Sequence, residues 1–320
     1  MYALLAMIFN CVIMGSMRAP LSRFLAVAGA AALAAGGLAA CTPSAAGDAD
    51  VRVAASFYPL QYVSEQVGGK RAAVTNLTPP GGEPHDLELK AKDMAALADA
   101  DVVVYLDGLQ PAVDEAVHEQ VPDKGLDVGK TTKRHKASDT GAEAADGTWD
   151  PHVWLDPTRL AKIADAVAKR MSDADPDHAA DYRHNAAALD KKLDKLDASY
   201  RDGLSDCDRH DIVTSHAAFG YLADRYGLHQ VSVSGLSPEA EPSTEAMRRV
   251  TDYVKKHHVT TIFYETAVSP AIAKSLAEGT GAATAVLDPI ESVKPGSGDD
   301  YPSLMDANLS ALQTALGCHT

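Results

Sequence analysis

Residues 177–204 contain no Pro, and no Gly before Gly203, while Leu189, Leu193, Leu196 and Tyr200 recur at three- and four-residue spacing between charges. That is the pattern of one long amphipathic helix. About 28 helical residues would span ~42 Å, enough to run between two lobes. Both flanks alternate strand and helix. Ahead of it, strands are expected at 51–56, 73–78 and 102–106, with helices at 60–67 and 92–100 and from Pro157 onward, where Leu160, Ile163, Ala164 and Val167 share a side. Behind it, strands at 212–214, 230–234, 260–264 and 283–287 alternate with helices at 219–226, 244–256, 271–278 and 301–316, and Ser243 is placed to cap the second of these helices. Alternation of this kind predicts parallel sheets covered on both faces. The fold class expected is α/β, with two (β/α) lobes joined by one long rigid helix.

The N-terminal segment reads as an address. Arg18 and Arg23 precede an apolar run from Phe24 that ends in Leu38-Ala39-Ala40-Cys41. Basic residues, an apolar core and small residues at the end are the parts of a secretory signal. The end resembles a bacterial lipobox, which implies cleavage before Cys41 and lipidation of its thiol. A start at Met17 is expected in place of Met1. Residues 1–40 are therefore read as signal, 41–50 as a lipidated tether, 51–174 as the first lobe, 175–206 as the linking helix and 207–320 as the second lobe. Residues 131–148, rich in Lys, Gly, Asp and Ala, read as a mobile surface loop.

A formal charge of −15 argues against a nucleic-acid partner, whose phosphates need a basic surface. With Cys11 and Cys41 in the processed segment, Cys207 and Cys318 remain in the folded body. Outside the cytoplasm they are candidates for a disulfide, two free thiols being the alternative.

Four potential metal ligands stand in framed positions: His85 in Glu83-Pro84-His85-Asp86, His152 in Asp150-Pro151-His152-Val153-Trp154-Leu155-Asp156-Pro157, His216 in Thr214-Ser215-His216, and Asp288 in Leu287-Asp288-Pro289. Three imidazoles and one carboxylate fill a tetrahedral Zn²⁺ site and leave no position for a reactive water. Glu291 or a water could take the fourth place instead. Asp86, Asp156 and Glu265 are candidates to orient the rings, the alternative being helix caps or solvated acids. His118 reads as a solvated helix residue and His135 as part of a flexible basic patch. The remaining histidines lack such framing.

These blocks, with residues 214–222 and 235–243, resemble the zinc and manganese substrate-binding lipoproteins of ABC importers over nearly everything after Val51. The resemblance implies a metal held in the cleft between the lobes by His85, His152, His216 and Asp288, and no catalysis. It also implies an ABC permease partner, an extracytoplasmic location at the outer face of the cell membrane through lipidated Cys41, and a monomer. In that family His at the third position marks zinc binders, so Zn²⁺ is expected before Mn²⁺. Rival readings are a manganese or iron receptor, a surface adhesin on the same scaffold, and a secreted zinc hydrolase. The last lacks a His-Glu-x-x-His helix.

Overall fold

The computed structural model describes residues 49–137, 147–267 and 269–319; the leader, Cys41 and the middle of the 131–148 loop lie outside them. Among the described residues no helix is long and apolar enough to cross a membrane.

The first parallel sheet has strand order β2-β1-β3-β4, from β1 (Val51–Ala55), β2 (Ala72–Asn76), β3 (Val102–Tyr105) and β4 (Gly125–Asp127). The helices between them are α1 (Tyr58–Gly68), α2 (Ala91–Asp99) and α3 (Pro111–Gln120). All four residues of β3 are buried, as a strand covered on both faces requires. The second sheet repeats the order as β6-β5-β7-β8, from β5 (Asp211–Thr214), β6 (His229–Ser232), β7 (Thr261–Tyr264) and β8 (Ala283–Val286). Between the sheets in the chain come α4 (Pro157–Ala174) and α5 (Ala179–Gly203); α6 (Gly220–Tyr226), α7 (Thr244–Lys256), α8 (Ala271–Thr280) and α9 (Tyr301–Leu316) belong to the second half.

Cap chemistry sets several of these boundaries. Ser243 accepts from the Ala246 N–H at the start of α7, as expected from the sequence. Asp156 accepts from the Thr158 N–H at the start of α4, with Pro157 in the first turn, where its missing N–H costs nothing. Gly227 ends α6 with φ +70°, a left-handed conformation that a Cβ would resist. The long helix begins slightly later than expected, because Pro176–His178 forms a 3₁₀ turn first. Its 25 residues span about 38 Å.

Three apolar layers follow. Leu97, Val113 and Val117 of α2 and α3 cover one face of the first sheet. Val250, Val254, Ala273 and Leu276 of α7 and α8 cover one face of the second. The remaining faces share one continuous core, which runs through α1, α4, α5, α6 and α9. Within it Asp197 of α5 accepts two bonds from Arg225, each 2.9 Å, so the long helix is tied to α6 by a forked ion pair.

The sequence did not signal β4, which is three residues long and begins with Gly125. The 131–148 loop also departs from expectation where it is described. Lys136 pairs with Trp149 in an antiparallel bridge, and His135, expected in a flexible patch, stacks on Tyr221 at 4.5 Å between centroids.

Cys207 and Cys318 are disulfide-bonded and close a loop 111 residues apart in sequence. In the chain-entropy account a loop of that length contributes about 4–5 kcal/mol by restricting the unfolded chain. Urea unfolding of the oxidised protein against the C207A/C318A variant should give a difference of that size or smaller, in favour of the bridge.

Candidate metal centre

The three histidines come from separate loops and turns. His85 lies in the loop after β2, and its backbone N–H donates to Glu83 Oε1. His152 sits between Pro151 and the 3₁₀ turn Val153–Leu155 that leads to the α4 cap. His216 follows β5, with its carbonyl accepting from Thr214 Oγ1 and Gln230 Nε2. His85 and His216 thus lie beyond the carboxyl ends of parallel strands, where open α/β sheets receive ligands. Three contacts join the halves around them. Trp154 Nε1 donates to the Pro289 carbonyl at 2.7 Å, Tyr301 Oη to the Trp154 carbonyl at 2.6 Å, and Tyr221 Oη to the Asp150 carbonyl at 2.9 Å.

The structure brings the three rings together, with centroids 5.4–6.3 Å apart. The carboxylate facing them is Glu291, not Asp288. Glu291 Oε1 lies 3.5 Å from His85 Nε2, 3.3 Å from His152 Nε2 and 3.5 Å from His216 Nε2. His152, His216 and Glu291 are 0%, 1% and 4% exposed. All four of these atoms are buried without a hydrogen-bond partner. A buried polar atom left unpaired costs about 1–3 kcal/mol, so four aimed at one point fit a ligand shared among them. The four ligand atoms all lie within 4.8 Å of one another, close enough to be shared by one ion of the kind that imidazole nitrogen and carboxylate oxygen bind.

Asp288, expected as the fourth donor, has both oxygens committed elsewhere. Oδ1 accepts from the Ile290 N–H at 2.8 Å and Oδ2 from Thr266 Oγ1 at 2.7 Å.

Carboxylates behind the rings decide which nitrogen faces inward. His216 Nδ1 donates to Glu265 Oε1 at 2.9 Å, and His152 Nδ1 donates to Asp150 Oδ1 at 2.8 Å. Because a carboxylate only accepts, each Nδ1 carries the proton and, in the neutral ring, Nε2 keeps its lone pair for the cation. Glu265 was among the sequence candidates for this role. Asp150 was not, although Asp-Pro-His is the spacing for an Asp side chain that accepts from the backbone two residues on, as it does here at 2.9 Å. Asp156 is a helix cap, and Asp86 is exposed.

Burial opposes charge on His216, but Glu265 and then Glu291 outweigh it and hold the ring up to about 10. The same contest raises His152, through Asp150 and Glu291. Burial would raise Glu291, yet the three imidazoles hold it well below the usual carboxylate range. Burial and the charge of Glu291 push Glu83 up to about 8.

Residues 53–315 match a family model described as zinc-uptake complex component A, periplasmic. The zinc-binding lipoprotein AdcA of Streptococcus pneumoniae strain R6 is 38% identical over 297 residues, 86% of this chain and 58% of the relative. The chain therefore spans little more than half the length of that relative. The high-affinity zinc uptake system protein ZnuA of Bacillus subtilis strain 168 is 32% identical over 298 residues, covering 87% of this chain and 93% of its own. Among solved structures, Zn(II)-bound AdcA from Streptococcus pneumoniae superposes with a TM-score of 0.72 at 35% identity, covering 83% of this chain and 58% of that one.

The electrostatics can be checked without metal. In the cation-free protein, ¹⁵N NMR of His216 should show a doubly protonated ring through neutral pH with a midpoint about 10. Glu265→Gln should bring that midpoint down toward the ordinary imidazole value of about 6.5.

Proposed function

Because this chain belongs to the zinc-uptake complex component A family, we propose that it is an extracytoplasmic receptor that captures Zn²⁺ with high affinity and passes it to the permease of an ABC importer. The observation that carries the reading is the convergence of four buried, unpartnered donor atoms, all within 4.8 Å of one another. We assign His85, His152, His216 and Glu291 as the ligands, Glu291 replacing the expected Asp288. Residues 51–174 and 207–320 supply two donors each, with 175–206 joining them. The tether from lipidated Cys41 holds the receptor at the outer face of the membrane, as a monomer.

The donor set supports zinc over manganese. Imidazole suits zinc, whereas manganese favours oxygen ligands and six-coordination. One carboxylate touches the ion and two more, Asp150 and Glu265, stand behind the rings, so its positive charge is offset without an oxygen-rich shell. Four protein donors leave no coordination position for an activated water, which supports binding and not hydrolysis.

Capture is coupled to protons. Glu265 and Glu291 keep His216 protonated at neutral pH, so Zn²⁺ must displace a proton to bind, and acidification favours the competitor. Affinity should therefore rise with pH.

Calorimetric titration of the metal-free protein is expected to give one tight Zn²⁺ site that outcompetes Mn²⁺. His152→Ala or Glu291→Gln should each weaken it by more than about 100-fold, since losing a ligand exceeds the 10–100-fold typical of an outer partner. Unchanged affinity in either would remove that residue from the ligand set. Between pH 6 and 8 the apparent affinity should rise by about tenfold per pH unit for each proton displaced. Release should register as a dependence of binding enthalpy on the buffer's ionisation enthalpy.

A further inference from the structure

Glu291 is reached through a backbone conformation that its neighbour resists. Ile290 has φ +59° and is fully buried. A β-branched side chain in the left-handed region is an outlier, held only where the surroundings over-determine it. Here they do. The Ile290 N–H donates to Asp288 Oδ1, and Thr266 Oγ1 donates to Asp288 Oδ2. Asn308, buried on α9, brackets Asp288 from the other side: its Oδ1 accepts from the Asp288 N–H at 2.8 Å and its Nδ2 donates to the Asp288 carbonyl at 2.7 Å. Trp154 fixes the Pro289 carbonyl between them.

We infer that Asp288 and Asn308 are positioning residues for the cation, locking the 288–290 turn in its left-handed form so that Glu291 presents one oxygen to the three imidazoles. The inference rests on the zinc-binding role proposed above. Neither residue needs to touch the ion. If the bracket is removed, Ile290 relaxes toward an ordinary φ and the bond from Glu291 Cα to Cβ swings away from the rings. Imidazoles alone then hold the metal. The Asp288 carboxylate is a clamp, although its place in the chain resembles that of a ligand.

The test uses the full chain, metal-free, titrated with Zn²⁺ against a competing chelator, with the melting temperature of each metal-free variant recorded in parallel. Asp288→Ala and Asn308→Ala should each weaken Zn²⁺ binding by about 10–100-fold, the range for lost outer partners. The double variant should lose little more than the worse single, because both act through one turn. Asp288→Asn should recover most of the alanine loss: its amide oxygen can accept from the Ile290 N–H and its NH₂ can donate to Thr266 Oγ1. A merely structural role would lower the melting temperature without this rescue in affinity.

The inference is overturned if Asp288→Ala binds as the parent does. It is also overturned if Asp288→Asn falls as far as the alanine variant, which would make Asp288 a ligand or a charge effect. Should Asp288→Ala not fold, parental affinity in Asn308→Ala would overturn it equally. A parent that binds no Zn²⁺ would instead sink the proposed function. A parent that binds, loses the ion in Glu291→Gln and is indifferent at 288 and 308 would sink only this inference.

Discussion

Four lone-pair donors without hydrogen-bond partners are forced into one buried space, and the surrounding fold exists to keep them there. Left alone they would turn away, toward water or toward acceptors behind them. The fold uses that tendency. Glu265 and Asp150 pull on Nδ1 of His216 and His152, which leaves Nε2 as the atom that faces the centre. Glu291 is delivered from the opposite side by a turn that its own sequence disfavours.

The same arrangement sets the chemistry of exchange. Glu265 and then Glu291 hold the His216 ring above its ordinary range, and the three imidazoles hold Glu291 below its own. On the proposed function, proton and metal compete for the same lone pairs, so binding and protonation are opposite ends of one equilibrium. A continuous apolar core behind the site, tied by Trp154, Tyr221 and Tyr301 across the two halves, keeps the donors in register while that exchange occurs.

Much of this was legible in the chain. Alternating strands and helices, interrupted by one long Pro-free helix, are local patterns, and local patterns read well. The three histidines that meet in the structure were legible because each sits in a framed loop near an element end. Which carboxylate faces them was not. Leu-Asp-Pro-Ile-Glu offers two carboxylates three residues apart, and nothing local distinguishes them. Thr266, 22 residues away, and the Ile290 N–H take the two oxygens of Asp288, Asn308, 20 residues away, holds its backbone, and Glu291 faces the centre. Asp150 went unread for a different reason. Its Asp-Pro-His spacing was visible, but its pairing with Nδ1 depends on the rotation of the His152 ring, which packs against Trp154. Strand β4 was missed because three residues carry too little periodicity to register.

The chain by itself determined the class of fold and the kind of donor available, because hydrophobic spacing, turn residues and side-chain chemistry are properties of short segments. Only the tertiary structure decided which carboxylate meets the imidazoles and which nitrogen each ring offers. Those choices turn on how the packed structure orients side chains, with Thr266 on Asp288, Glu265 on His216 and Asp150 on a His152 ring packed against Trp154, and on the left-handed backbone of Ile290.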